Sequence, residues 1–154
     1  MRLTVYTDYA LRTLMYLAVR GEPMPTIAEI AASYGVSRNH LMKVVHDLAL
    51  AGYVATTRGK KGGLRLGRAA AEIGLGDVVR HTEPDMALVP CAAPEAAPCA
   101  IAPACRLKGA LARAQQAFLE VLDSYTLADL VANRAALDGL LPRPPVSAPP
   151  LANS

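Results

Sequence analysis

The chain opens with a spacing of apolar positions that is typical of an amphipathic helix. One face of this first helix, predicted over about residues 7–19, consists of Leu11, Leu14, Met15 and Ala18. Gly21 and Pro23 follow and end the pattern, because glycine disfavours a helix and proline lacks the amide donor.

A second and a third helix are predicted on either side of Gly35. Thr26 is placed to cap the second helix, and Glu29, three residues later, reaches back to it in a capping box. This helix is predicted to end near Ser33, after which Gly35 suits a left-handed turn. Ser37 is placed to cap the third helix. The apolar face of that helix is formed by Leu41, Val44, Val45 and Leu48. Two short helices joined by a tight turn form a helix-turn-helix.

A short β-hairpin pattern completes this first unit, residues 1–80. Residues 53–57 and 64–66 favour strands, and the sequence RGKKGG between them combines three cations with three glycines. A basic hairpin tip is typical of a wing that contacts phosphates or the minor groove of DNA. The predicted fold class is therefore mostly α with a small β-wing, a winged helix-turn-helix domain followed by a long dimerisation helix.

The remainder of the chain divides into three segments. Residues 81–105 contain five prolines and all three cysteines, so we expect a loop without regular elements. Residues 105–141 return to helical patterns, with helices predicted over about 105–125 and 127–140. Residues 142–154 carry five prolines and are interpreted as a disordered tail.

The helix predicted over 105–125 has apolar residues at alternating steps of four and three, which form a seam less than three heptads long. The seam consists of Leu107, Leu111, Ala114, Phe118, Val121 and Tyr125. Such a face packs either against its own domain or against a second copy. Because a DNA reader of this kind binds paired half-sites, we expect a homodimer with this seam at its interface.

Basic residues are concentrated in the first unit. Residues 34–68 contain seven cations against the single acid Asp47. Charge alone fits either a solvated basic face or a polyanionic partner, and the helix-turn-helix and wing favour double-stranded DNA. The candidate DNA-binding residues lie at the start of the third helix and on the wing: Ser37, Arg38, Asn39, His40, Lys43, Arg58, Lys60, Lys61 and Arg65.

Cys91, Cys99 and Cys105 are separated by seven and five residues, which is not the spacing of a structural zinc site. They are either unrelated buried thiols or ligands that converge on a metal, and irregular spacing favours an iron–sulfur cluster. Cys105 also opens the following helix, whose free N–H groups and dipole favour an anionic, thiolate-bound group.

Several classes of protein and location are disfavoured. No apolar run approaches the roughly 18 residues of a membrane span, and the N-terminal segment lacks the apolar region of a signal peptide. An odd number of cysteines forms no closed disulfide framework, so we expect a cytoplasmic protein without a membrane. No nucleophile–base pair, phosphate-binding loop or supported carboxylate pair indicates an enzyme. An electron-transfer or cluster-carrier protein is an alternative, although it would give the basic wing no purpose.

Six stretches of the sequence are specific in combination, although none of them alone would indicate a family. They are LTVYTDYALR, YGVSRNHLMKVVHDL, GYVATTRGKKGGLRLG, LGDVVR, PACRLK and YTLADLV. Together, over about residues 1–140, they resemble the iron–sulfur winged-helix transcriptional repressors, the family that includes NsrR and IscR. Within that family the chain is more similar to the nitric-oxide-sensing NsrR members.

This resemblance implies a homodimeric repressor in which Cys91, Cys99 and Cys105 ligate a cluster, with [4Fe-4S] favoured over [2Fe-2S]. Nitrosylation of the cluster by nitric oxide would release an operator, expected to be an inverted repeat. IscR-like members take a histidine after the third cysteine as fourth ligand, and no histidine follows Cys105 here. NsrR-like members take an aspartate of the other subunit, which would be Asp8. Sensing of cluster status or redox state, as in IscR, is the alternative signal.

Asp8 lies in the predicted first turn of the first helix, four residues before Arg12, so that the two side chains share a face. Arg12 can then orient the carboxylate, and Glu83 is a second acid that can pair with Arg12. Arg12 and Glu83 are predicted to lie beside the cluster without ligating it. A carboxylate binds soft iron more weakly than a thiolate, which would leave one iron open to a diatomic molecule.

Overall fold

The computed structural model describes residues 2–59, 62–93, 95, 97 and 99–142. Lys60, Lys61 and the predicted tail after residue 142 lie outside these residues. Within them the elements follow the order α1 (Val5–Val19), α2 (Ile27–Tyr34), α3 (Arg38–Leu50), β1 (Val54–Thr57), β2 (Gly63–Leu66), α4 (Leu75–Thr82), α5 (Arg106–Asp123), α6 (Leu127–Leu130) and α7 (Arg134–Leu140). The predicted fold class, mostly helical with a two-stranded wing, is confirmed.

The hydrophobic core lies where α1 packs against α2 and α3. Leu14 of α1, Ile30 of α2 and Leu41 of α3 are each at most 1% exposed. Leu64 of the wing and Val78 of α4 close the same core. These side chains come from one face of each helix, and removing them from water supplies the main favourable term in folding.

Side-chain caps and one glycine define the helix-turn-helix. The capping box of Thr26 and Glu29 is present at the start of α2, and Ser37 Oγ accepts a hydrogen bond from the His40 amide at the start of α3. Gly35 ends α2 with φ at 64°, a left-handed conformation that strains any residue with a Cβ. The predicted helix-turn-helix is therefore confirmed in its caps and its turn.

The wing is an antiparallel pair in which Thr57 lies opposite Gly63. Gly63 packs against the segment before α2 so closely that a Cβ there would lie 2.6 Å from the carbonyl oxygen of Met24. At the base of the wing, Arg68 donates to the carbonyl of Ala51 and lies over the ring of Tyr53. The wing is thus attached to the segment before α2 and to the residue that ends α3.

The C-terminal helices fold back onto the far end of α1. Arg20 donates to Asp138 Oδ1 at 2.7 Å and to the carbonyl oxygens of Leu141 and Pro142. Arg134 donates to the carbonyl of Val19, the last residue of α1. These bonds join residues that are more than 100 positions apart in the chain.

Several element boundaries differ from those predicted. α1 begins at Val5 because Thr4 caps it, and α5 ends at Asp123, two residues early. The predicted last helix is divided into α6 and α7 by residues 131–133. Helix α4 was not predicted, and its last two residues lie in the segment expected to be a loop from residue 81. The loop contains short 3-10 turns at Pro90–Ala92 and Ala102–Ala104, each with a proline at a position that needs no amide donor.

Replacing Leu41 by alanine should lower the free energy of unfolding by about 2–5 kcal/mol, because the side chain is buried and leaves a cavity. Leu50→Ala on the same helix is the matched control: Leu50 is 75% exposed, and surface changes usually stay within about 0.5 kcal/mol. Both values are measured by urea unfolding. Equal losses in the two variants would contradict the packing described.

Candidate nucleic-acid interface and metal centre

The first turn of α3 presents polar and basic side chains to solvent. Arg38, Asn39, His40 and Lys43 are all exposed, while the opposite face of the helix is buried. Ser37 is engaged as the cap. Among the described residues, neither Arg38 nor Lys43 forms an ion pair. Their charges are therefore available to an outside partner.

The wing adds further cations. Arg58 follows β1 and Arg65 lies on β2, and both side chains are exposed. Within the described part of the chain, neither is paired with a carboxylate. Lys60 and Lys61, predicted at the tip, lie outside the described residues. The start of α3 and the wing thus both carry exposed cations that can bind an anionic polymer.

Asp8 and Arg12 form the pair that their spacing predicted. Arg12 Nε donates to Asp8 Oδ1 at 2.8 Å, and both side chains are 46% exposed. The Arg12 guanidinium also lies 5.6 Å from the ring centroid of Tyr34. Asp8 is therefore held in one orientation at the start of α1 and remains open to solvent.

Glu83 does not pair with Arg12, and this part of the prediction is wrong. Its Oε1 accepts hydrogen bonds from the amide and hydroxyl of Thr4 and from the hydroxyl of Thr7. Thr7 is fully buried, and an acid at the start of a helix satisfies free N–H groups and complements the dipole. Glu83 thus caps α1 from the end of α4.

The three cysteines are free thiols on the segment that links α4 to α5. Cys91 and Cys99 line one open cavity of about 690 Å³, and Cys105 is the residue before α5. In the part of the chain that the structure describes, no three histidine, cysteine or acidic side chains lie together as a metal-binding group. The chain brings two of the predicted ligands to one cavity and leaves Cys105 and Asp8 apart from them.

Asp47 forms a contact that the sequence analysis missed. Its Oδ2 accepts hydrogen bonds from Tyr6 Oη of α1 and from His81 Nε2 of α4, each at 3.0 Å. Burial and the neighbouring Asp47 carboxylate raise the pKa of Tyr6 to about 12. Asp47 stood out as a lone acid in a basic stretch, and that was the signal that it has a local partner.

Helix α5, which carries most of the predicted seam, has no buried residue among its eighteen. Leu111 and Phe118 are half-buried, and Phe118 lines a cavity of about 320 Å³ with Leu3, Met86 and Leu88. Leu107, Ala114 and Val121 are exposed, and Tyr125 lies beyond the end of the helix. One chain therefore covers only part of this face.

Comparison with known proteins agrees with this geometry. The family model described as Rrf2, iron-dependent transcriptional regulator, matches residues 3–133. The chain belongs to the Rrf2 family. Two "HTH-type transcriptional regulator NsrR" proteins, from Geobacillus kaustophilus and Bacillus licheniformis, are 49% and 48% identical to it over 142 residues. The matches cover 92% of this chain and 97% and 99% of those proteins.

A solved structure supports the same assignment. This chain is similar to the solved structure of T. potens IscR, with a TM-score of 0.68 and 25% sequence identity. The match covers 94% of each chain. The chain is therefore a transcriptional regulator of the Rrf2 and NsrR type rather than an enzyme, as predicted. Among the described residues, no helix has both the length and the hydropathy that crossing a bilayer requires.

Replacing Asp47 by asparagine should lower the pKa of Tyr6 from about 12 towards 10.0, because the carboxylate charge is removed. It should not reach 10.0, since burial is the larger cause of the shift. Ultraviolet titration of phenolate absorbance measures this, and Tyr6→Phe identifies the Tyr6 contribution. A Tyr6 pKa that Asp47→Asn leaves unchanged would contradict the hydrogen bond.

Proposed function

We propose that this Rrf2 regulator is a homodimeric transcriptional repressor that senses nitric oxide through an iron–sulfur cluster and then releases its operator. The observation that carries the proposal is the position of three free thiols on the segment that follows α4 directly. The end of α4 contacts both α1 and α3, so the thiol-bearing segment is attached to the DNA-reading domain. The similarity to NsrR regulators supports the same signal.

The donor set fits a cluster by its chemistry. Cys91, Cys99 and Cys105 are unpaired thiols that solvent reaches, and thiolates are the usual ligands of iron–sulfur clusters. Three thiolates with one weaker ligand suit a [4Fe-4S] cluster with one accessible iron. The bound cluster supplies the reaction with nitric oxide, and the protein sets ligation and access.

We assign the fourth ligand to Asp8 of a second copy. Asp8 is half-exposed at the start of α1, and Arg12 holds its carboxylate in one orientation. An aspartate in the TDYALR context is the fourth ligand that the resemblance to NsrR implies. Within one chain Asp8 is not grouped with the thiols, which is consistent with ligation across a dimer interface.

The second copy would dock on α5. This helix presents Leu107 and Val121 at 62% and 59% exposure, which is unusual for large apolar side chains that recur on one helix face. Pairing two such helices would cover this surface and place two α3 helices at a fixed spacing, as half-sites on a duplex require.

DNA contacts follow from the exposed cations. We propose that the start of α3 enters the major groove, where Arg38 and Asn39 read bases and the neighbouring Ser37, His40 and Lys43 support the docking. The wing would contact phosphates through Arg58 and Arg65, together with Lys60 and Lys61, which the sequence places at its tip.

Replacing Arg58 and Arg65 by alanine should weaken binding to every duplex and reduce the salt slope by about one for each lost phosphate contact. Arg38→Ala or Asn39→Ala should instead cost about 1–3 kcal/mol of discrimination between sequences. Fluorescence anisotropy over a series of salt concentrations measures both effects, on a selected and on a scrambled duplex. A wing variant that binds both duplexes like the wild type would show that the wing does not touch DNA.

The direct test of the function is anaerobic purification followed by titration with nitric oxide. Iron and sulfide content, cluster absorbance and anisotropy of a labelled duplex are followed together, and cluster absorbance and DNA binding should be lost in parallel. Serine at Cys91, Cys99 or Cys105 should abolish the cluster and lower specific DNA affinity, whereas Ala92→Ser in the same loop should change neither.

A cysteine variant that keeps a full iron and sulfide complement would remove that residue from the ligand set. Release of DNA on removal of the cluster, but not on addition of nitric oxide, would favour an IscR-type regulator that reads cluster status. DNA binding that ignores the cluster altogether would contradict the proposal.

A further inference from the structure

We infer that His81 is a positioning residue that transmits the state of the cysteine-containing loop to the recognition helix α3. The inference rests on the proposed function and adds the contact by which the loop reaches the DNA-reading surface. His81 lies in the last turn of α4, which ends at Thr82, and the cysteine-containing loop that links α4 to α5 follows directly.

The side chain of His81 contacts both DNA-reading elements. Its Nε2 donates to Asp47 Oδ2 of α3 at 3.0 Å, and a carboxylate acceptor requires that this nitrogen carries the hydrogen. Its ring meets the ring of Tyr53 edge-on, with centroids 5.9 Å apart and an interplanar angle of 61°. Tyr53 precedes β1 and carries Arg68 against its face, so His81 also touches the base of the wing.

Glu83, the residue that follows α4, attaches the same end of that helix to the start of α1. Its carboxylate receives hydrogen bonds from Thr4 and Thr7, beside the α1 turn that carries Asp8. The residues just before the loop are therefore attached to α1 by Glu83 and to α3 by His81. A displacement of the loop that extends to its first residues would therefore act on both contacts.

Asp47 is the residue of α3 through which a change at His81 would reach the recognition helix. It is the single acid among the cations of residues 34–68, where a free carboxylate would repel DNA phosphates. The structure gives that carboxylate a local role, since one oxygen accepts from Tyr6 of α1 and from His81 of α4. These two bonds join α3 to α1, which carries Asp8, and to α4, which the cysteine-containing loop follows.

A purely structural role for His81 makes a different prediction. If His81 only stabilised the fold, its loss would weaken DNA binding equally with and without the cluster. If it transmits the loop state, its loss reduces the ratio of the two affinities. The ratio is therefore the quantity to measure, because a general loss of stability does not move it.

The test compares His81→Phe with His81→Gln. Phenylalanine keeps a ring against Tyr53 and removes the donor to Asp47, whereas glutamine places an amide donor near the position of Nε2. His46→Phe is the matched control, because His46 is an exposed histidine on α3 and no hydrogen bond of its side chain is seen among the described residues. The probe is a duplex selected from random sequences by the wild-type protein.

Affinity is measured for cluster-loaded and cluster-free protein, and again before and after nitric oxide. In His81→Phe the ratio of the DNA affinities of cluster-loaded and cluster-free protein should fall by roughly threefold to tenfold, because one hydrogen bond contributes about that factor. Cluster absorbance should stay as in the wild type. His81→Gln should restore most of the ratio, and His46→Phe should leave it unchanged.

The inference is overturned if His81→Phe keeps the wild-type ratio, or if it weakens both states equally. Wild-type protein that responds to cluster removal but not to nitric oxide would refute the proposed signal, while the loaded-to-free ratio of the variants still decides the role of His81. Wild-type protein whose DNA binding responds to neither would refute both.

Discussion

Helix α1 is buried along most of its length, and the rest of the structure is built against it. Thr7, Ala10, Thr13 and Leu14 are fully buried, so α1 cannot shift without disturbing the core. Its start is capped by Glu83 from α4, and its end is held through Arg20 by the C-terminal helix α7. A rigid helix held at both ends gives the cysteine-containing loop and the recognition helix a common support.

This arrangement separates the charges proposed to bind DNA from those that stabilise the fold. The cations at the start of α3 and on the wing are exposed and unpaired within the described residues, whereas Arg20 and Arg68 are occupied by carbonyl and carboxylate oxygens of their own chain. Exposed cations exchange counterions for phosphates at little structural cost. Arginines bonded to backbone carbonyls stabilise the fold and offer little to a partner.

Local rules predicted much of the fold from the sequence. The capping box at Thr26, the cap at Ser37 and the turn at Gly35 each depend on residues within four positions of one another, so the pattern is visible in the chain. The pair of Asp8 and Arg12 follows from helical spacing in the same way.

Contacts between distant residues leave no such pattern. Glu83 was expected to meet Arg12 and instead meets Thr4, 79 positions away. The hydrogen bonds that Tyr6 and His81 donate to Asp47, and that Arg20 donates to Asp138, also depend on tertiary packing that periodicity does not encode. One of the four proposed cluster ligands is of this kind, because the three thiols lie on one loop while Asp8 lies at the start of α1.

The central claim is that the start of α1 serves the cluster of the partner, and lability of the cluster in mixed dimers tests it most directly. One subunit carries Asp8→Ala alone, and the other carries serine at Cys91, Cys99 and Cys105 with Asp8 intact. The account predicts that the surviving cluster reacts with nitric oxide as slowly as in the wild type. It also predicts that placing all four changes on one subunit, with a wild-type partner, gives the fast reaction of the Asp8→Ala homodimer. The opposite pair of results would show that Asp8 acts within its own chain and would contradict the account.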